Sequence, residues 1–191
     1  VEITSGRQSV ANIRDVQLED LLGRDQVDPL EHLLRGSVSG RNVMVTGAGG
    51  SIGSELCRQI ARQEPRLLIL LDQSEFGLFQ VQRDLKAIVG NEELSTPVVP
   101  VLGSVTNGAL MQRTLETYQV DTVYHAAAYK HVGLVEDNVI QGLKNNTFGT
   151  LYAAQAAIDA GVDDFILIST DKAVRTTSVM GASKRLAEMV L

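Results

Sequence analysis

Asn42-Val43-Met44-Val45-Thr46-Gly47-Ala48-Gly49-Gly50-Ser51-Ile52-Gly53 is the stretch that decides the fold. An apolar, β-branched run passes directly into a glycine-rich loop, and a helical apolar pattern begins at Ile52. Glycines at 47, 50 and 53 allow a tight turn, a close approach of backbone to a pyrophosphate, and close packing of helix on strand. The diphosphate would then rest on the helix amino terminus, where unpaired N–H groups and the helix dipole favour an anion. A glycine-rich loop alone is only a turn. Strand before it and helix after it make it a dinucleotide-binding fingerprint, with Gly47, Gly50, Ser51, Ile52 and Gly53 against the ligand.

Outward from this loop, short β-branched or Leu-rich runs alternate with helical patterns. Strands are expected near 42–46, 67–71, 98–102, 121–126 and 164–168, and helices near 52–63, 74–88, 107–118, 135–159 and 180–191. This alternation predicts parallel βαβ units with right-handed crossovers, hence an α/β, doubly wound parallel sheet over residues 39–191. Residues 1–38 read as a helical arm or linker, with short helices around Val16 to Leu22 and from Pro29 to Arg35. Asp28 would cap the second of these, Pro29 suits its first position, and Gly36 would close it. No internal repeat or low-complexity tract interrupts the pattern.

Composition narrows the function. The 191 residues, 44% of them hydrophobic, are enough to bury a sizeable core. With 17 basic and 23 acidic side chains, a net charge of -6 and 4% aromatic residues, there is neither a basic track nor a stacking platform for nucleic acid. The only cysteine, Cys57, has no internal disulfide partner, and neither a signal-peptide pattern nor a run of membrane-spanning length is present. A reducing, cytoplasmic setting is expected. The chain starts without Met and stops at Leu191 inside an apolar-periodic segment, so it reads as a piece of a longer protein.

Polar residues gather where the strands end. Asp72, about 20 residues beyond the loop, is the expected acceptor for ribose hydroxyls, and its charge would repel a 2′-phosphate, favouring NAD over NADP. The competing reading makes it a cap for the helix near Ser74. Ser104 and Val105, after the third strand, would touch the adenine side. At the end of the fourth strand, His125-Ala126-Ala127-Ala128-Tyr129-Lys130-His131 places small residues where backbone passes a flat cofactor, with Ala126 and Ala127 against it. Lys130 and His131 would face a substrate. His125, at the tail of an apolar run, reads more readily as a satisfied core histidine. No histidine stands at metal-ligand spacing, so no metal site is expected. Asn145 and Asn146 fall inside a helical pattern, which a kink or a buried polar contact would explain equally. Ser169-Thr170-Asp171-Lys172-Ala173 then sets an acid beside an amine ahead of the last helix, an arrangement that also fits a plain loop ion pair.

Thr-Gly-x-x-Gly-x-x-Gly at 46–53, His-Ala-Ala-Ala-Tyr-Lys-His-Val at 125–132, Asn-x-x-Gly-Thr at 146–150 and Ser-Thr-Asp-Lys-Ala at 169–173 together resemble the extended short-chain dehydrogenase/reductase superfamily. Within it, the likeness is to the polysaccharide-biosynthesis branch of UDP-N-acetylglucosamine 4,6-dehydratases. It covers about residues 42–191, and the arm at Ile13–Arg24 resembles what precedes the catalytic domain in long, membrane-anchored members. The resemblance implies a Rossmann-type NAD-binding domain, a UDP-sugar substrate, a possible homo-oligomer, and a parent protein at the cytoplasmic face of a membrane. It also implies that a carboxyl-terminal lobe for the sugar nucleotide follows the chain.

The implied reaction is internal redox. Sugar C4 is oxidised, water leaves across C5 and C6, the hydride returns to C6, and NAD is recycled. Carried over by motif, Lys172 would be the C5 base, Asp171 the acid for the C6 hydroxyl, and Thr170 a hydrogen-bond partner near the C4 oxygen. Asn146 falls among the substrate residues. Met180 stands where the wider superfamily has a catalytic tyrosine, with Lys184 one turn on to hold the ribose. A thioether cannot serve as that base, so Asp171, acting through Thr170, is the candidate at C4. Gly133, Thr176 and Ser178 depart from the Pro, Pro and Asn of the branch. For Lys172 to act as a base, burial or a nearby cation must favour its neutral form, whereas a close carboxylate works against it. A nucleotide-sugar 4-epimerase or reductase, and an NAD-binding piece without catalysis, are the other readings.

Overall fold

The computed structural model describes residues 31–92 and 94–191. The expected helix at Val16 to Leu22, the Asp28 and Pro29 signals, and the Ile13–Arg24 segment lie outside them. Residues His32–Leu191 form one compact unit. Helix α1 (Glu31–Val38) runs through Gly36 instead of closing there. The stop comes at Gly40, whose φ of 69° is the left-handed conformation that ends a helix readily at glycine.

Strands β1 (Asn42–Thr46), β2 (Leu67–Asp72), β3 (Val98–Leu102), β4 (Thr122–His125) and β5 (Asp164–Leu167) build a parallel sheet of order β3-β2-β1-β4-β5. Pro100, which has no N–H to give, sits in edge strand β3 paired with Leu70, a position where one side needs no ladder. The sheet is flanked by α2 (Ser51–Ala61), α3 (Glu75–Asn91), α4 (Gly108–Thr117), α5 (Val132–Asp137), α6 (Val139–Leu143), α7 (Gly149–Asp159) and α8 (Val179–Met189).

Both faces of the sheet are covered, which is why β1 and β2 read as continuous apolar runs rather than alternating ones. Val43, Val45, Leu68 and Leu70 pack on one face against Cys57 and Ile60 of α2 and Val81 and Leu85 of α3. Met44, Ile69, Leu71 and Val123 pack on the other against Met111 and Leu115 of α4 and Ala153 and Ala157 of α7. Cys57 is wholly enclosed, and burial pushes its thiol up to about 12.

The expected single helix over 135–159 is broken. Asn138, at φ -135° and ψ 52°, separates α5 from α6, and a π-helical turn at Lys144–Phe148 separates α6 from α7. No helix among the described residues is long and apolar enough to cross a membrane. After β3 the chain returns across the sheet, so β1 and β4 lie side by side while their connections leave in opposite directions. Their carboxyl ends frame the crevice where such sheets bind ligands.

Candidate active site

The glycine loop is shaped by contact as well as conformation. Gly47 has a φ of 66°, and a Cβ there would lie 2.7 Å from the Ala127 Cα. A Cβ on Gly53 would collide with the Gly47 carbonyl. Larger residues would therefore part β1 from β4, or α2 from the loop. Helix α2 carries no side-chain cap at Gly50, so its amino terminus is free to meet an anion.

Two clefts meet over this loop. The smaller, about 220 Å³, runs along Asp72, Ser104 and Val105; the larger, about 480 Å³, runs from Ser51, Ile52 and Gly53 to Lys130 and His131. Gly47, Gly50, Ala126 and Tyr129 border both, and Ala127 borders the smaller. Asp72 has two uses already. Its Oδ2 accepts from the Gly49 N–H at 2.8 Å, and its Oδ1 accepts from the Ser74 N–H at 2.8 Å. The carboxylate thus ties the glycine loop to the turn into α3 and borders the smaller cleft, but it is not the cap of that helix. The α3 cap is the Ser74 side chain, which accepts from the Gly77 N–H at 3.2 Å.

His125 is a satisfied core residue, with Nδ1 2.8 Å from Thr46 Oγ1 and Nε2 3.0 Å from Thr150 Oγ1. Burial first, then the Lys184 charge, lowers its imidazole to about 3, so it is neutral at physiological pH. Asn146 is not available to a substrate. It is 0% exposed, its Oδ1 accepts from the Tyr129 N–H at 2.7 Å, and its Nδ2 donates to the Tyr129 carbonyl at 3.0 Å and to Ser183 Oγ at 2.9 Å. Its work is positional: it holds the strand exit that presents Lys130 and His131. Thr46, Thr150 and Ser183 complete this buried set; the two threonines stand in the motifs at 46–53 and 146–150, but none of the three carried an assigned role. A hydroxyl at the end of an apolar run, or one small residue inside a helix, is too common a signal.

Thr170, Asp171, Lys172, Met180 and Lys184 lie beyond β5, which feeds a short 3-10 turn at Asp171–Ala173 and then α8. None of them borders either cleft. Thr170 Oγ1 donates to Asp171 Oδ1 at 3.0 Å, and the Lys172 ammonium lies 3.6 Å from the same oxygen. The Thr170 hydroxyl first, then the Lys172 charge, holds the Asp171 carboxyl below its usual range. Asp171 and Lys172 side chains are 80% and 56% exposed, so the pair stands as a solvated loop ion pair. Met180 is buried. Lys184 is 5% exposed, its Nζ donates to the Ile168 carbonyl at 2.8 Å, and desolvation lowers its ammonium below the ordinary range, partly opposed by Glu188. Gly181 was also missed. A Cβ there would lie 2.5 Å from the Lys172 carbonyl, so glycine is what lets α8 approach the Asp171–Lys172 turn. Ser178 caps α8 by accepting from the Gly181 N–H at 3.1 Å, a task the asparagine of the branch performs equally well. Among the described residues, no group of three or more His, Cys, Asp or Glu is placed to hold a metal.

Known proteins resemble the chain in sequence and in fold. The chain is 41% identical over 190 residues to the capsular polysaccharide biosynthesis protein CapD of Staphylococcus aureus, covering 100% of the chain and 31% of that protein. Over the same coverage it is 41% identical to the probable polysaccharide biosynthesis protein EpsC of Bacillus subtilis. The chain thus spans about a third of the length of these curated relatives. Among solved structures, DesIV, a dTDP-glucose 4,6-dehydratase from Streptomyces venezuelae with NAD and TYD bound, superposes with a TM-score of 0.65 at 27% identity, covering 78% of this chain and 50% of that one. A family model described as polysaccharide biosynthesis protein matches residues 43–191, from β1 through α8, and to that family the chain belongs.

Proposed function

We propose that the chain is the NAD-binding catalytic part of a UDP-N-acetylglucosamine 4,6-dehydratase of polysaccharide biosynthesis. The observation that carries this reading is the Thr170–Asp171–Lys172 turn seated against Gly181, beside a methionine where an oxidoreductase would need a tyrosine. The residues present fit NAD. The glycine loop admits backbone approach, the α2 amino terminus is uncapped, and Asp72 borders the smaller cleft. Bound there, NAD would supply the two-electron step, taking a hydride from C4 and returning it to C6.

The proton steps fall to this chain. Thr170 Oγ1 already donates to Asp171, so the C4 hydroxyl proton has a path through Thr170 onto that carboxylate. Protonated Asp171 then becomes the acid that the departing C6 hydroxyl requires, and the same proton leaves in water. Lys172 lifts the C5 proton, acidified by the new ketone, and gives it back after the hydride returns. Bound sugar nucleotide has to provide the burial that frees Lys172 from its carboxylate. Lys130 and His131, exposed on the larger cleft, are the groups offered to the UDP-sugar. We place the longer protein at the cytoplasmic face of a membrane, as a homo-oligomer; cell fractionation and light scattering of the full-length protein test both.

The test is incubation with NAD and UDP-N-acetylglucosamine in heavy water, followed by mass spectrometry. A dehydrated sugar nucleotide carrying deuterium is the expected product, and Asp171→Asn and Lys172→Met should each lower its rate by about 100-fold or more. An epimer or an alcohol as the product would select the 4-epimerase or reductase reading instead. Full activity surviving both substitutions would sink the assigned roles.

A further inference from the structure

The geometry points to His125 as a positioning residue for the cofactor site: a neutral imidazole with its single ring proton fixed on Nε2, tying the cleft-facing end of β4 to Asn146 and Met180. The direction of each hydrogen bond follows from its two ends. The Asn146 carbonyl is only an acceptor, so Thr150 Oγ1, 2.7 Å away, donates to it. That hydroxyl has one hydrogen, so toward His125 Nε2 at 3.0 Å it accepts, and Nε2 carries the ring proton. Nδ1 is then bare and accepts from Thr46 Oγ1 at 2.8 Å. Thr46 Oγ1 in turn accepts the Ala127 N–H at 3.4 Å, and a backbone N–H can only donate.

The Asn146 side chain adds a second branch, whose bonds are oriented separately from its carbonyl. Asn146 Nδ2 donates to Ser183 Oγ at 2.9 Å, and Ser183 Oγ donates to the Met180 carbonyl at 2.7 Å. Thr46, His125, Asn146, Thr150 and Ser183 are all 0% exposed, and among the described residues no buried side-chain nitrogen or oxygen lacks a partner. The network therefore has no slack. Reversing the tautomer would break the Thr150 bond to the Asn146 carbonyl, and a second ring proton would face the Thr46 hydroxyl. The groups packed on the ring favour the same state: Phe165 of β5 stacks at 5.6 Å, and the nearby charge is the Lys184 ammonium of α8.

What the lock positions is the wall on which the proposed cofactor rests. Ala127 borders the smaller cleft, Tyr129, whose backbone Asn146 holds, borders both, and Met180 lies in the first turn of the helix that carries Lys184. The inference rests on the NAD reading only in this last step.

Nitrogen-15 NMR of the imidazole in the wild-type chain tests the first part without any ligand. The expected spectrum has a protonated Nε2 and a bare Nδ1, unchanged from about pH 8 to about pH 5; a proton on Nδ1, or titration near the ordinary histidine value, would overturn the assignment. NAD affinity of Thr150→Val and Thr150→Ser tests the second. Loss of the acceptor in the valine variant should weaken NAD by about tenfold, and serine should restore it. Unchanged affinity in a folded valine variant would make His125 a packing residue only. Failure of the wild-type chain to bind NAD would instead sink the functional reading and leave the tautomer standing. If the valine variant does not fold, the wild-type spectrum still decides.

Discussion

At the scale of single residues, the site depends on atoms that are absent. Gly181 lets the Lys172 carbonyl sit where a Cβ would be 2.5 Å away, and a helix cannot yield there without moving the Asp171–Lys172 turn. Gly181→Ala should cost about 1–3 kcal/mol of stability. Turnover of the sugar nucleotide should fall further than that loss explains, which steady-state rates beside a denaturation curve would show. The same scale carries a pH prediction. Folded His125 titrates at about 3 against an ordinary 6.5, so between these values the unfolded chain binds a proton that the folded chain does not. Stability from this residue is full above the unfolded value and is lost as pH falls through the window, by up to about 1.4 kcal/mol per pH unit. Urea denaturation at about pH 7.5 and about pH 5.5 should show that slope, and His125→Phe should flatten it.

Among the elements, the π-helical turn at Lys144–Phe148 is the most consequential. Within it Asn146 bonds to the Tyr129 backbone on one side and Ser183 on the other. Asn146→Leu keeps the volume but strands the Tyr129 N–H and carbonyl and takes the acceptor from the Asn145 amide, while Ser183 keeps its bond to the Met180 carbonyl. We expect a loss of roughly 2–4 kcal/mol and faster amide exchange at Tyr129. The strands and helices up to α4 were legible because their period and glycine punctuation are local signals. This turn was not. One partner of Asn146 lies 37 residues away at Ser183, and the amides at 145 and 146 revealed a conflict with the helical pattern without showing how it resolves. The same distinction holds for the site. Gly47, Asp72, Ser104 and Ala126 follow strand ends and could be marked in the sequence, whereas Leu134 and Gly142 of the larger cleft come from α5 and α6, and the partners of His125 from β1 and α7, visible only once the sheet is assembled.

For the molecule as a whole, the sheet divides two apolar layers that meet only through its strands, and the clefts open where those strands end. Asp72 shows how tightly the site is organised, since loop, strand and α3 are joined through one carboxylate. The enclosed Cys57 gives a direct way to measure that organisation. Its thiol, raised to about 12, sits on α2, the helix whose first turn borders the larger cleft. An alkylating reagent at neutral pH can reach it only when the layer between α2 and the sheet parts, so the labelling rate counts openings. With no other thiol in the chain, one mass shift reports one event. Adding NAD should slow the labelling by the factor 1 + [L]/Kd, so a single sulfur atom would serve as both stopwatch and binding gauge.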